Sequence, residues 1–198
     1  MADTSSRFRN STPETNWLKA YYFARAAVSI VWVAAAFTVG KNVPVVGYSL
    51  LVAYPAWDAI ANIADVQGNG GWKKNPTQVL NAAVSGATTL AVAIALGISM
   101  NAVLGVYGVW AALSGLFQLA TGVRRWKSYG AQWAMILSGA QSVLAGAFFL
   151  KQASLSQSPG ISDIAPYAAF GAFYFLVSAL WLVVSDARRR RAQPAGAQ

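Results

Sequence analysis

The sequence predicts an all-α membrane protein with six transmembrane helices, and three observations support this. Of its 198 residues, 56% are hydrophobic and 11% are charged, whereas a soluble domain carries roughly 25% charged residues. Six apolar stretches follow one another, each near the roughly twenty residues that cross a hydrocarbon core of ~30 Å. Lysines and arginines gather in short clusters beside these stretches. The chain is therefore predicted to be a multi-pass protein of the lipid bilayer.

The predicted spans form one transmembrane domain over residues 17–186, between a polar tail (1–16) and a basic tail (187–198). Pro44 and Pro76 are expected at first helical turns, where the missing N–H costs nothing. The connections are short, so sequential helices should pack as antiparallel neighbours. The spans run from Trp17 to Val39, Val45 to Ala64, Gln78 to Ile98, Ala102 to Val123, Gln132 to Leu150 and Ile164 to Val184.

Glycines at heptad spacing mark helix faces without side chains, which let a neighbouring helix approach closely. The alternative interpretation is a pore lining. The same faces would also suit self-association, so a homo-oligomer stays open. The glycines predicted to pack helices are Gly108, Gly115, Gly122, Gly139, Gly146 and Gly171.

The distribution of cations predicts that both termini are cytoplasmic. Of the fifteen lysines and arginines, twelve fall on the side of the N-terminus, Arg25 lies within a span, and Lys41 and Lys151 lie opposite. An even number of spans agrees with this orientation. The twelve are Arg7, Arg9, Lys19, Lys73, Lys74, Arg124, Arg125, Lys127, Arg188, Arg189, Arg190 and Arg191.

A threefold internal repeat with a period of about 55 residues is predicted from the spans. In the odd-numbered spans, residues 25–29 (RAAVS) match 81–85 (NAAVS), and 136–139 (ILSG) fall in register with both. In the even-numbered spans a polar and a small residue recur together, preceded by an aromatic residue: Tyr54, Trp110 and Tyr174. The predicted unit is a helical hairpin, repeated at about 17–66, 76–125 and 130–187.

These residues resemble the HdeD-type family of bacterial inner-membrane proteins, which are built from a short membrane repeat of unknown function. The resemblance covers about 21–190 and rests on Arg25, on Tyr54 and Asp58, and on the Ser-Gly and basic-terminus patterns of 113–125 and 137–146. The family commonly has glycine after the aspartate, where this chain has Ala59. The resemblance implies a bacterial inner-membrane protein linked to acid resistance through its best-known member, with no defined reaction.

Arg25 and Asp58 are the two charged residues well inside predicted spans. At ~1.5 Å per residue they lie ~12 Å and ~9 Å from the cytoplasmic end, on helices that should be adjacent. Such a pair is either a structural ion pair, which we favour, or a proton- or ion-responsive gate. Pro55 removes the N–H that would bond to the Leu51 carbonyl, so a kink is expected one turn before Asp58.

The chain contains no cysteine and no histidine, which removes thiol chemistry and the commonest metal ligand and general base. We therefore expect no enzymatic activity, no catalytic residues, no metal and no cofactor. Nucleic-acid binding is not expected, because the cations do not form a continuous stripe. Two functions stay open: an HdeD-like stress protein without turnover, and a transporter or channel for a small solute or ion that uses the Arg25/Asp58 region. Arg188, Arg189, Arg190 and Arg191 could bind anionic lipid or only fix the topology.

Overall fold

The computed structural model describes residues 13–126 and 132–191, and every regular element within them is helical. Most of the predicted polar tail, Lys127 and every residue after Arg191 lie outside the described residues. There are six long helices: α1 (Pro13–Ala35), α2 (Pro44–Gly68), α3 (Pro76–Ala95), α4 (Met100–Arg124), α5 (Gln132–Ala153) and α6 (Ile161–Arg191).

The helix boundaries follow local sequence signals. Pro44 and Pro76 open α2 and α3 in the first turn, and the Ser99 hydroxyl caps α4 by accepting from the Ala102 N–H at 3.1 Å. A π-helical turn, Ala36–Gly40, extends α1 towards the first loop. Helix α6 continues through Arg191, so the arginine run predicted as a tail begins as the last turns of this helix.

Five helical stretches of the described chain are long and apolar enough to cross a membrane, one fewer than predicted. They comprise α1 with its π-helical turn, α3, α4, α5 and most of α6. Helix α2 is not among them, although it has 25 residues. Its C-terminal half carries Asp58, Asn62 and Asp65, all of which are buried inside the bundle. The structure thus supports a multi-pass membrane protein in which the polar side chains of α2 face the interior of the bundle.

The helices do not pack as three tight hairpins. The closest packing joins α4 to α5, followed by α1 to α6 and α2 to α3, while α1 with α2 and α5 with α6 make much smaller contacts. Each close pair joins the even-numbered helix of one predicted repeat to the odd-numbered helix of the following repeat, with the first repeat following the third. Adjacent spans were expected to be the main neighbours, and this holds for only some of them, because the side chains at each seam decide how near two helices come.

The bundle is apolar outside and partly polar inside. Many large side chains on its outer surface are exposed, such as Val31, Leu90 and Ile94. The buried set includes aromatic residues, with Trp32, Tyr54, Tyr107 and Trp110 in one cluster, and also Asp58, Asn62, Asp65, Gln78 and Ser85. This inversion of the usual soluble pattern suits a protein whose solvent is lipid.

Candidate functional site

A cavity of about 480 Å³ lies inside the bundle, and side chains from all six helices line it. Its volume falls within the range of roughly 300–1,000 Å³ that is typical of ligand pockets. Arg25 and Asp58 lie on its wall, together with Tyr54, Ser114 and Tyr167. The two charged residues singled out in the sequence therefore both lie on the wall of this cavity.

Arg25 and Asp58 are in direct contact and form an ion pair between Nη2 and Oδ1. Arg25 Nη1 donates to the Tyr21 hydroxyl at 2.9 Å, and its guanidinium lies 4.3 Å from the centre of the Phe175 ring. A carboxylate, a phenol oxygen and an aromatic face thus surround the cation on three helices. This environment offsets part of the cost of holding a guanidinium inside the membrane.

Asp58 is 8% exposed and has further donors around its second oxygen. Oδ2 accepts from Asn62 Nδ2 at 2.9 Å and from Ser85 Oγ at 2.7 Å. Ser85 Oγ in turn accepts from Trp110 Nε1 at 2.9 Å. Asn62 and Ser85 both donate to Oδ2, and with Arg25 and Trp110 the network ties α1, α2, α3 and α4 together.

A second buried ion pair lies nearer the predicted cytoplasmic end of the cavity. Arg125 Nη1 is 3.3 Å from Asp65 Oδ2, and Arg125 Nη2 donates to Asn75 Oδ1 at 2.7 Å. Asn69 Nδ2 donates to Asp65 Oδ1 at 2.6 Å. In the sequence, Arg125 counted only towards topology and Asp65 was not singled out. The missed signal was a second acidic residue seven positions after Asp58, two turns along the same face of the helix.

The same hydrogen bond occurs three times around the bundle, each time joining a serine of an odd-numbered helix to an aromatic residue 25 positions later. Ser29 lies 3.3 Å from the Tyr54 hydroxyl, Trp110 Nε1 donates to Ser85 at 2.9 Å, and Ser142 lies 2.8 Å from the Tyr167 hydroxyl. The predicted third aromatic residue was Tyr174, which lines the cavity without taking this place. The register of the third copy is therefore set by Ser142 and Tyr167.

Several buried polar atoms on the cavity wall have no partner among the described residues: Ser114 Oγ, Gln78 Nε2, Asn81 Oδ1 and Arg25 Nε. Ser114 is 8% exposed and Gln78 is 4% exposed. A buried donor or acceptor without a partner costs about 1–3 kcal/mol. These atoms are therefore positions at which water or a ligand would gain hydrogen bonds.

The predicted packing glycines divide into two groups. A Cβ on Gly115 would lie 2.6 Å from the Gly139 carbonyl oxygen, and one on Gly146 would lie 2.6 Å from the Gly108 carbonyl oxygen. Gly122 instead faces the Ile136 side chain, 2.8 Å from such a Cβ. All of these lie between α4 and α5. Gly171 makes no such close approach, because a Cβ there would meet only the Tyr54 hydroxyl at an ordinary 3.6 Å, and Gly171 lines the cavity.

The carbonyl that Pro55 leaves without an intrahelical donor is satisfied from another helix. The Tyr107 hydroxyl donates to the Leu51 carbonyl oxygen at 2.7 Å, and both groups are buried. The Leu51 carbonyl is therefore not left without a donor at the turn that contains Pro55. By removing the intrahelical donor, Pro55 leaves this carbonyl available for a hydrogen bond between α2 and α4.

Other expected features lie at the periphery. Arg188 and Arg189 are exposed on the last turns of α6, and the side chains of Arg190 and Arg191 lie outside the described residues. Over the described chain, no group of three His, Cys, Asp or Glu side chains is placed to hold a metal ion.

Comparison with known proteins gives one finding. Residues 80–151, which span most of α3, all of α4 and most of α5, match the family model described as a short repeat of unknown function (DUF308). No curated protein and no solved structure matches the chain. Together with the apolar helices, the match supports an integral membrane protein related to a repeat family of unknown function.

Proposed function

We propose that this protein binds a small molecule within its central cavity, as a carrier or channel of the membrane. The observation that carries the proposal is the cavity of about 480 Å³ whose wall holds buried polar atoms without partners. A purely structural core would fill such a space with side chains, because protein interiors are close-packed. The Arg25–Asp58 pair on the same wall would contribute charge and orientation to the site.

The proposed setting is a bacterial inner membrane crossed six times, with both termini cytoplasmic. The twelve cations on one side, against two on the other, support the orientation. The three equivalent serine–aromatic bonds support three repeated units. Helix α2 would cross with its acidic residues turned towards the cavity and its apolar side towards lipid or neighbouring helices.

Binding without covalent turnover is the proposed mode of action. The chain has neither histidine nor cysteine, and the two buried carboxylates, Asp58 and Asp65, are held by arginine and amide donors. Both carboxylates are thus already occupied by donors of the protein itself. The site is therefore suited to holding a ligand rather than to proton abstraction or nucleophilic attack.

Ligand-induced stabilisation of the purified protein tests this proposal. A panel of small metabolites and ions is screened for an increase in the melting temperature, and each hit is tested for flux into vesicles. Ser114→Leu, which fills the cavity wall, should weaken the binding of any hit at least tenfold. Ser49→Leu, on the exposed face of α2, is the matched control and should leave binding unchanged. If both variants bind the hit with the same affinity, the ligand does not bind in the cavity and the proposal is wrong.

A second candidate function is a stress-associated role of the HdeD kind. The resemblance over residues 21–190 and the family match over 80–151 favour it. Such a protein would act through lipid or through self-association, with Arg188–Arg191 attracting anionic lipid at about 1 kcal/mol per residue. Survival of a deletion strain at low pH tests this role. Unchanged survival in an organism without a second copy of the gene would count against it.

A further inference from the structure

The cavity has an opening between α5 and α6 that faces outward from the bundle. Four apolar residues line both the cavity and this outer surface: Leu144, Phe148, Pro166 and Phe170; a fifth exposed residue of the lining, Asp163, lies near the start of α6. Leu144 is 71% exposed, Phe148 61% and Phe170 53%. We call this opening, defined by these four residues, the α5–α6 mouth.

The internal repeat shows how this seam differs from the seam between α1 and α2. Arg25 and Asp58, 33 residues apart, bridge α1 and α2 with an ion pair. In the register fixed by the serine–aromatic bonds, the corresponding residues in the third copy are Ser138 and Gly171. Both line the cavity, but a hydroxymethyl group and a hydrogen atom are too short to span it. The third copy therefore lacks the bridge that closes the first.

The depth and chemistry of the α5–α6 mouth decide what can enter it. Leu144 lies nine residues before the end of α5, and Phe170 lies nine after the start of α6, or ~13 Å from those helix ends at ~1.5 Å per residue. In a hydrocarbon core of ~30 Å, Leu144 and Phe170 lie close to the midplane, whereas Phe148 and Pro166, each five residues from the same helix ends, lie nearer the interface. The rim is made of one leucine, one proline and two phenylalanines. Such an apolar rim favours passage of a molecule dissolved among the acyl chains of the bilayer.

The charged residues of the cavity indicate whether the polar group of a ligand bound there would be ionised or neutral. Arg25 is paired with Asp58, and Arg125 with Asp65. Asp163, the remaining charged residue of the lining, is exposed near the start of α6, where it accepts from the Gly160 N–H at 2.7 Å. An ionised ligand would bring a further charge into a low-dielectric space whose buried charges are already matched. Ser114 Oγ and Asn81 Oδ1, by contrast, offer hydrogen bonds to a neutral hydroxyl or carbonyl group.

We propose that the α5–α6 mouth is a lateral entrance, through which an uncharged single-chain amphiphile enters the cavity from the bilayer with its polar end at Ser114 and Asn81 and its chain between α5 and α6. This rests on the proposed binding function and specifies its ligand class and route. The shape agrees with the lining: polar groups from α3 and α4 lie at the inner wall, and apolar side chains of α5 and α6 lie at the mouth. An alternative occupant of the mouth, a second copy of this chain, becomes an outcome of the test.

Photolabelling in phosphatidylcholine vesicles tests this inference with the full-length chain. The probes are a long-chain fatty alcohol with a diazirine in its chain, the corresponding fatty acid, and a water-soluble diazirine diol. Peptide mapping by mass spectrometry locates the adducts. The alcohol should label the segments of α5 and α6 around Leu144 and Phe170 saturably, and at least tenfold more than the ionised fatty acid.

Variants of the mouth complete the design. Leu144→Ala with Phe170→Ala widens the entrance through exposed side chains and should raise the labelling rate severalfold. Leu80→Ala with Leu90→Ala, exposed on α3, is the matched control and should not change it. Gly171→Trp obstructs the cavity behind the mouth and should reduce labelling at least tenfold, whereas Gly86→Trp, at a site with open space, should not.

The outcomes separate the two proposals. Labelling of the cavity by the diol but not by the alcohol would overturn the lateral entrance while leaving the binding function in place. Equal labelling by the fatty acid would overturn the neutral ligand class. Cross-links between two copies at the mouth, without labelling by the alcohol, would assign the mouth to a subunit interface and overturn the inference. If no probe reaches the cavity, both proposals fail.

Discussion

Neutralising Asp58 is the perturbation with the largest expected effect on stability. Asp58→Asn keeps the side-chain volume but leaves the Arg25 guanidinium, whose side chain is only 13% exposed, without its counter-charge. It can also turn an amide donor towards Ser85 and Asn62, both of which donate to the carboxylate. Breaking one side of a buried pair typically costs about 3–5 kcal/mol. We expect a loss of stability in this range.

A double-mutant cycle isolates the pair from its surroundings. Arg25→Gln alone strands the carboxylate, whereas Arg25→Gln combined with Asp58→Asn leaves two neutral amides that can bond to each other. The double variant should therefore be about 1–3 kcal/mol more stable than the sum of the single losses predicts. Unfolding by SDS in mixed micelles, followed by circular dichroism, measures all four proteins.

The second repeat supplies the control. Ser114 stands 56 residues after Asp58, at the position that the sequence repeat makes equivalent, and its hydroxyl has no partner. Ser114→Ala removes a buried hydroxyl that has no partner among the described residues, so it should leave stability unchanged or raise it by up to about 1–3 kcal/mol, without the loss expected at Asp58. Losses at Asp58 and Arg25 that add within about 0.5 kcal/mol would refute the reasoning, because residues that interact directly do not behave independently. Unchanged stability of Asp58→Asn with loss of ligand binding would instead make the carboxylate functional.

Three further predictions concern packing, the proline and topology. Gly115→Ala should lower the free energy of unfolding by about 1–3 kcal/mol in the same SDS assay, because its Cβ would lie 2.6 Å from the Gly139 carbonyl oxygen. Gly86→Ala, in open space on α3, should raise it by up to about 1 kcal/mol. Equal effects of the two variants would contradict the close packing at Gly115. Tyr107→Phe should lower stability by about 1–3 kcal/mol, because it removes the hydroxyl that donates to the Leu51 carbonyl. Most of this loss should disappear in a Pro55→Ala background, where the N–H of residue 55 can donate to the same carbonyl. A loss that persists there would show that this hydrogen bond is not its cause. Because the chain has no native cysteine, a single Lys41→Cys should react with an impermeant maleimide only from outside the cell and Lys74→Cys only from the cytoplasm, and the opposite pattern would reverse the proposed orientation.

The positions of the helices were predictable from the sequence, whereas their packing arrangement was not. The apolar stretches predicted six helices at the observed places, because span length and hydropathy are local properties of the chain. Length and hydropathy over the observed helix set α2 apart from the other five, and the structure shows that its polar residues Asp58, Asn62 and Asp65 are buried inside the bundle. Glycine spacing predicted close packing, but only the structure assigned the facing pairs to α4 and α5.

The sequence by itself indicated a helical membrane protein, predicted an internal repeat, and singled out Arg25 and Asp58 as costly intramembrane charges. Composition, periodicity and charge spacing suffice for this, because the bilayer imposes the same demands on any chain. Only the tertiary structure decided that Asp58 also binds Ser85, that Arg125 reaches Asp65, and that the seam at Ser138 and Gly171 stays open. Contacts between residues 25 to 60 positions apart depend on how the helices are arranged, and no local pattern in the chain encodes that arrangement.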